Sequence, residues 1–428
     1  MNISSRNVYT IYIFLYFSLL VGFYFGEDWG GGYRTDYLFH KYRILPFFEE
    51  NLVQSLLNFD SLKIESSNLN IGNSNSNRSP IYLIFFLFLQ KISFSENFSR
   101  LIFLHLSLLI PYFFYLCLKL KYKFKINDIR ILLPAIIFIS PYFRAASIWM
   151  ADENLSLIFL SICFYFFLKF ENSKKKKLSD IFLNILFLAL AAYIRPIYSL
   201  FGIYFFVRYY FDLNFSPKLL FFIFINILLS FPAIYYIFVL DINQWFVPLL
   251  FGSNFITTIS IIITILFFYS IPFLLINIKQ NFQINNFKIK NLVFSIIFLF
   301  LLIFYFDYNL PYGGGIFFKL SIFIFGNNYL FYIFSLISLN VFILIFSNSI
   351  KSKDTIFDLA LLLTLILLDI DGVLYHETYD PLLYFIYFLL IKNRIYLNFT
   401  EQLTNIKFIL LGLFSTSFYV LSILKSAM

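Results

Sequence analysis

The residues best suited to chemistry in this chain gather in short polar stretches that interrupt long apolar ones. The first is "YFGEDWGGGYRTDYLFHKYR" (24–43), where Glu27, Asp28 and Asp36 flank three consecutive glycines, Gly30 to Gly32. Glycine lets a backbone turn tightly and lie close to a ligand. Carboxylates beside such a turn can accept a proton or hold a divalent cation. Asp36 and His40 are four residues apart, which puts both on one face if this stretch is helical. The plainer alternative is a solvated loop carrying ordinary surface charge.

Three further stretches carry groups of the same kinds. "FRAASIWMADENLSLIF" (143–159) reads as an unbroken helical pattern except for Arg144 and the trio Asp152, Glu153 and Asn154. Ionisable groups at or within a membrane span usually turn toward protein or a water-filled cavity, although "ADEN" also suits a helix N-cap with acids in its first turn. In "YIRPIY" (193–198), Arg195 lies between two apolar runs. Its guanidinium can fork onto a lipid phosphate or anchor a helix end by snorkelling. Lys319, after "YGGG" (312–315), is a similar case. "DIDGVLYHETYDPLL" (369–383) supplies Asp369, Asp371, His376, Glu377 and Asp380, residue types that bind metals at spacings that match no defined metal site. His105, inside an apolar run, reads as a core residue.

Such groups need elements to position them, and composition says which. The chain of 428 residues is 61% hydrophobic and 13% charged, and apolar runs near the ~20 residues that cross a bilayer recur along its whole length. The expected fold is all-α: a polytopic transmembrane bundle of about 11 to 14 helices, forming one integral-membrane domain over 1–428. A soluble core is excluded. So is nucleic-acid binding, because the bases behind the formal charge of +9 cluster in short loops, where they orient helices and meet anionic membrane lipids. Cys117 and Cys163 both lie inside apolar runs, so no disulfide framework is expected. The first run, Val8 to Phe25, is not followed by a small-x-small cleavage site and reads as a retained helix.

Further runs fall near 101–119, 131–149, 154–170, 179–193, 197–211, 217–239, 254–276, 290–306, 328–347, 356–369, 381–392 and 406–424. The basic stretches at 119–125, 174–177, 286–290, 351–353 and 392–394 occupy alternate loops and can all be cytoplasmic at once. That assignment places Trp29, Trp149 and Trp245 near the opposite face as an aromatic belt. "IYLIFFLFLQKI" (81–92) fits only as a short, partly inserted or re-entrant helix. The outer loops are then 26–80, 150–153, 194–196, 240–253, 307–327 and 370–380, and the polar chemistry collects there. The first is the longest; "YRILPFFEENLVQSLLNF" (42–59) can lie on the membrane surface as an amphipathic helix, and "NLNIGNSNSNRS" (68–79) reads as a linker.

In the order of these features the chain resembles the GT-C superfamily of integral-membrane glycosyltransferases. "DYLFH" (36–40) looks like the acidic first-loop motif, "SPIYLI" (79–84) like the proline-containing segment that follows, "ADEN" like the second acidic site, "IRPIY" like the Arg-containing turn and "HETYDPLL" (376–383) like a late Tyr-containing element. Tyr37 stands where a second acid is common, and a single Pro80 where two prolines are usual. The resemblance implies transfer of a sugar from a polyprenyl-phosphate donor to a glycan, lipid or protein acceptor on the outer face of a membrane, and the expected location is a bacterial inner (plasma) membrane with the site facing the periplasm or exterior. It implies Asp36 as base, with Asp28 and Glu27 as the other candidates, and Arg195, helped by Arg144 or Lys319, on the donor phosphate. Asp152 and Glu153, with His40, His376, Glu377 and Asp380, would serve the acceptor or a divalent metal cation, which is optional across that superfamily. The competing classes are a lipid-linked oligosaccharide flippase or transporter, which favours repeated halves with interrupted helices, and an O-antigen polymerase, for which a large late outer loop rich in Arg is expected.

Overall fold

The computed structural model describes residues 5–29, 32–46, 79–125, 127–235, 255–275, 289–308, 313–347, 353–368 and 374–427. Most of the proposed surface helix 42–59 and of the linker 68–79, together with Trp245, Asp369 and Asp371, lies outside them. All described regular structure is helical. This follows from the solvent: in hydrocarbon a backbone must satisfy its own polar groups, and a helix does so within one segment.

The chain divides into two compact units, 1–247 with 415–428, and 248–414. In the first, α1 (Ser5–Phe25) is followed by α2 (Tyr33–Phe39), which continues into a π-helical turn, His40–Ile44. Then come α3 (Pro80–Ile92), α4 (Glu96–Ser107), α5 (Leu109–Tyr122), α6 (Ala135–Ile139), α7 (Pro141–Ile148), α8 (Asp152–Asn172), α9 (Leu178–Ile194), α10 (Phe201–Leu213) and α11 (Pro217–Ile234). The second unit holds α12 (Phe255–Leu275), α13 (Ile289–Tyr305), α14 (Gly315–Phe325), α15 (Tyr329–Ser347), α16 (Lys353–Leu367), α17 (Leu382–Phe385) and α18 (Arg394–Glu401). The last helix, α19 (Asn405–Ala427), contributes its residues from 415 onward to the first unit.

Six helical segments are long and apolar enough to cross a bilayer, or up to eight if each of two bent pairs counts as one span. The chain is therefore an integral membrane protein. Five shorter apolar helices, α3 among them, fall below that length, so the described residues give fewer full spans than the 11 to 14 read from the sequence. Within the first unit α8 is central, packed against α5 and α9, with 72% of its apolar window buried against 11% for α11. Phe224, Ile227 and Phe231 of α11, and Phe14, Phe17 and Tyr24 of α1, are exposed, as lipid-facing side chains are. In the second unit α12 holds the same place, packed against α14 and α15.

Four local expectations are corrected. The stretch 143–159 is not one helix: α7 ends at Ile148 and α8 begins at Asp152. The turn between them is closed by the Ala151 N–H donating to the Ala146 carbonyl at 3.0 Å, with Met150 at φ 54°, the left-handed place that glycine usually takes after a helix. Likewise the run 131–149 bends by 63° between α6 and α7. Ser140 caps α7 by accepting from Phe143 N–H at 3.1 Å, and Pro141 takes its first position, where a missing N–H costs nothing. The presumed outer loop 307–327 contains the apolar helix α14. His105 is not a core residue either: it is exposed, and its Nε2 pairs with the Tyr16 hydroxyl at 2.8 Å.

Candidate functional site

The polar residues of the first unit assemble around Trp149, in the α7–α8 turn. Its indole N–H donates to the Glu27 carbonyl at 2.9 Å, which joins the turn to the chain leaving α1. Its ring, only 5% exposed, lies beneath the Arg100 guanidinium at 3.7 Å and near that of Arg34 at 5.6 Å. Tyr37 packs on it at 5.7 Å. Trp149 is thus a buried organising residue and not part of a lipid-facing belt, while Trp29 is exposed.

The three acids of the 24–43 stretch meet different fates. Glu27 is buried and takes both forks of Arg144, Nε at 2.7 Å and Nη2 at 2.6 Å, and also accepts from the Tyr419 hydroxyl at 3.1 Å. Arg144 further donates to the Ser18 carbonyl at 2.8 Å. Glu27 and Arg144, read from the sequence as a base and a phosphate ligand, are used up in holding α1, α7 and α19 together. Gly22 leaves room for this pair, since a Cβ there would lie 2.1 Å from the Glu27 carboxylate.

Asp28 has no such partner. One oxygen, Oδ2, accepts from Arg34 N–H at 3.2 Å; the other is sealed from water without a hydrogen bond. Burial raises its pKa above the ordinary 3.8, and the nearby Asp36 acts in the same direction, against the lowering effect of backbone N–H groups at 32–34. Asp36 itself is exposed, in the first turn of α2, where an acid is stabilised by the helix dipole. Its backbone carbonyl accepts from His40 Nδ1 at 2.6 Å, and the imidazole stands edge-on to Tyr82 at 5.9 Å. Tyr82 in turn donates to the Met150 carbonyl at 2.8 Å, satisfying the strained turn.

Directly after that turn, Asp152 and Glu153 open α8, both buried. They face Arg195 at the end of α9: Glu153 Oε1 is 3.3 Å from Nη1, and Asp152 Oδ2 is 3.9 Å from Nε. Asn154 is separated from them and bonds the Phe143 carbonyl and Ser147 hydroxyl, fastening α8 to α7. Ser79 caps α3 and also donates to the Tyr193 carbonyl, so the "SPIY" segment is tied to the chain leading into Arg195.

The remaining candidates belong to the second unit. His376, buried, accepts from Ile316 N–H through Nε2 at 2.9 Å. It fixes the start of α14, where Gly313, Gly314 and Gly315 all have positive φ, a conformation that side chains strain against. Glu377 is half-buried in the following turn, Asp380 is buried, and Lys319 is half-buried on α14. Among the described residues no three His, Cys, Asp or Glu side chains come close enough together to hold a metal ion. Asp152 and Glu153 already face a guanidinium where a cation would stand.

The residues missed in the sequence are Arg34, Arg100 and Tyr82. Arg100 carried a readable signal, a base at the start of an apolar run on the side where bases are scarce. Comparison with protein-family models, with curated proteins and with solved structures finds no match to this chain.

Proposed function

We propose that this protein is a membrane glycosyltransferase of the GT-C kind, moving a sugar from a polyprenyl-phosphate donor to a glycan, lipid or protein acceptor at the periplasmic face of a bacterial inner membrane. The observation that carries the reading is Asp28. It is a carboxylate with one unpartnered oxygen and a raised pKa, in a glycine-bearing loop joined through Trp149 to the Asp152–Glu153–Arg195 cluster. A general base is most effective when its pKa moves toward the operating pH. Asp28 takes the proton of the acceptor hydroxyl, the hydroxyl oxygen bonds to the anomeric carbon, and the bond from that carbon to the phosphate oxygen breaks. The electron pair leaves on the lipid phosphate. Burial, with a smaller contribution from Asp36, keeps the pKa of Asp28 raised, and Asp152 and Glu153, beside Arg195, bind acceptor hydroxyls.

The bent pair of the first unit also favours a transport reading, since interrupted helices are a feature of transporters. Sugar transfer by the purified protein in liposomes separates the two. A glycosylated acceptor that forms with wild type and with D36N, but not with D28N, supports the reading; a labelled lipid-linked sugar that crosses the bilayer with no product formed rejects it.

A further inference from the structure

We infer that Arg100 and Arg34, set against Trp149, form an anion site for the phosphate of a lipid-linked ligand, at residues other than the Arg195 that the sequence resemblance implies. This rests on the glycosyltransferase reading for the ligand's role, but not for the site itself.

Arg100 is 7% exposed. It is caged by Phe23 at 5.1 Å, Tyr37 at 5.9 Å and Trp149 at 3.7 Å. Its Nε donates to the Ile148 carbonyl at 3.0 Å and its Nη1 to Asn97 Oδ1 at 3.4 Å, while Nη2 is sealed from water with no acceptor. Among the described residues no carboxylate forms an ion pair with this guanidinium, and the nearby Glu96 is taken by Lys41. A buried donor without an acceptor is costly and rare, and an unmet ligand is one of its standard explanations.

The second cation sharpens the point. Arg34 is exposed and brings another guanidinium to the same indole ring. Like charges around one ring repel, and a doubly charged oxyanion between them relieves that repulsion. Arg144 and Arg195 do not compete for it, because each already faces carboxylates. Arg34 also donates its backbone N–H to Asp28. One loop therefore places the base beside the arginine that would take the leaving phosphate, and negative charge growing there is stabilised by fixed cations.

The test is binding of farnesyl phosphate to the full-length protein in detergent, read by thermophoresis and by Trp149 fluorescence in a W29F/W245F background. Inorganic phosphate and phosphatidic acid serve as separate arms. The expected result is that R34Q and R100Q each weaken farnesyl phosphate binding by roughly ten- to a hundred-fold, the range for one charged hydrogen bond, and that R195Q leaves it within two-fold. R34Q changes an exposed side chain, so it tests the site even if R100Q fails to fold. Unchanged binding in R34Q, loss in R195Q alone, or no phosphate binding by wild type would each overturn the inference. Equal affinity for all three ligands supports the site and assigns it to the phosphate group alone; preference for farnesyl phosphate or for phosphatidic acid supports it and names the lipid. Binding that follows these variants without any sugar transfer would remove the glycosyltransferase reading and leave the anion site standing.

Discussion

The two ends of α8 handle charge in opposite ways. At its C-terminal end, Glu171 pairs with Arg208 of α10, Lys169 with Asp180 of α9 at 3.3 Å, and Lys176 with Asp212 at 3.9 Å. Lys176 also donates to the Phe170 and Glu171 carbonyls at 3.1 and 3.0 Å, completing a helix end where a cation is favoured. These three pairs tie that end of the helix to α9 and α10, even where one oxygen of Asp180 lacks a hydrogen bond. At the N-terminal end two acids face one arginine, and around the adjoining Trp149 an acid and a guanidinium each keep an atom with no partner. Paired charge clamps helices; unpaired buried charge is tolerated where something else is meant to meet it.

The contrast can be broken most severely at Glu27, whose carboxylate takes both forks of the buried Arg144. Glu27→Ala strands the buried Arg144 charge and should cost about 3–5 kcal/mol, seen as a large drop in melting temperature in detergent. The double change Glu27→Leu with Arg144→Met should recover most of it, and a single variant as stable as wild type would show that the pair does not clamp α1 to α7. Next in size is catalysis: Asp28→Asn should lower sugar transfer by about 10²–10⁴-fold, the usual contribution of a general base.

The same residue makes a prediction in pH. Because the folded pKa of Asp28 lies above the ordinary 3.8, the ionised carboxylate weakens the folded state at any pH above that raised value. The penalty fades as pH falls and is gone below 3.8. D28N should therefore melt higher than wild type at neutral pH, with the gap closing in acid. Wild-type transfer, which needs the ionised form, should be lost at a higher pH than an ordinary aspartate would allow. At the other end of α8, Lys176→Ala should change stability by less than about 1 kcal/mol, since its ion pair is partly exposed to solvent screening. A larger loss would mean that this end is not redundantly paired.

Much of the helix placement was legible in the sequence. The run 217–239 became α11, 254–276 became α12 and 154–170 became α8, because apolar length is read directly by the bilayer. The breaks were less so. Met150 in a left-handed turn replaced an apparent continuous helix, and nothing in its local pattern announces it, since a methionine there is held only by packing and by the Tyr82 hydroxyl. In the candidate site, residue types singled out stretches that the structure brings together around Trp149, but not which acid was spent on Arg144.

By itself the sequence determined that this is a membrane protein of helices, since composition and apolar length answer to the solvent alone. It also placed the acids and bases at the ends of those helices. Only the tertiary structure decided that Glu27 is bound to Arg144 while its neighbour Asp28 keeps a free oxygen. Whether a charge is neutralised depends on which helix packs beside it, and adjacent residues on one loop point to different neighbours.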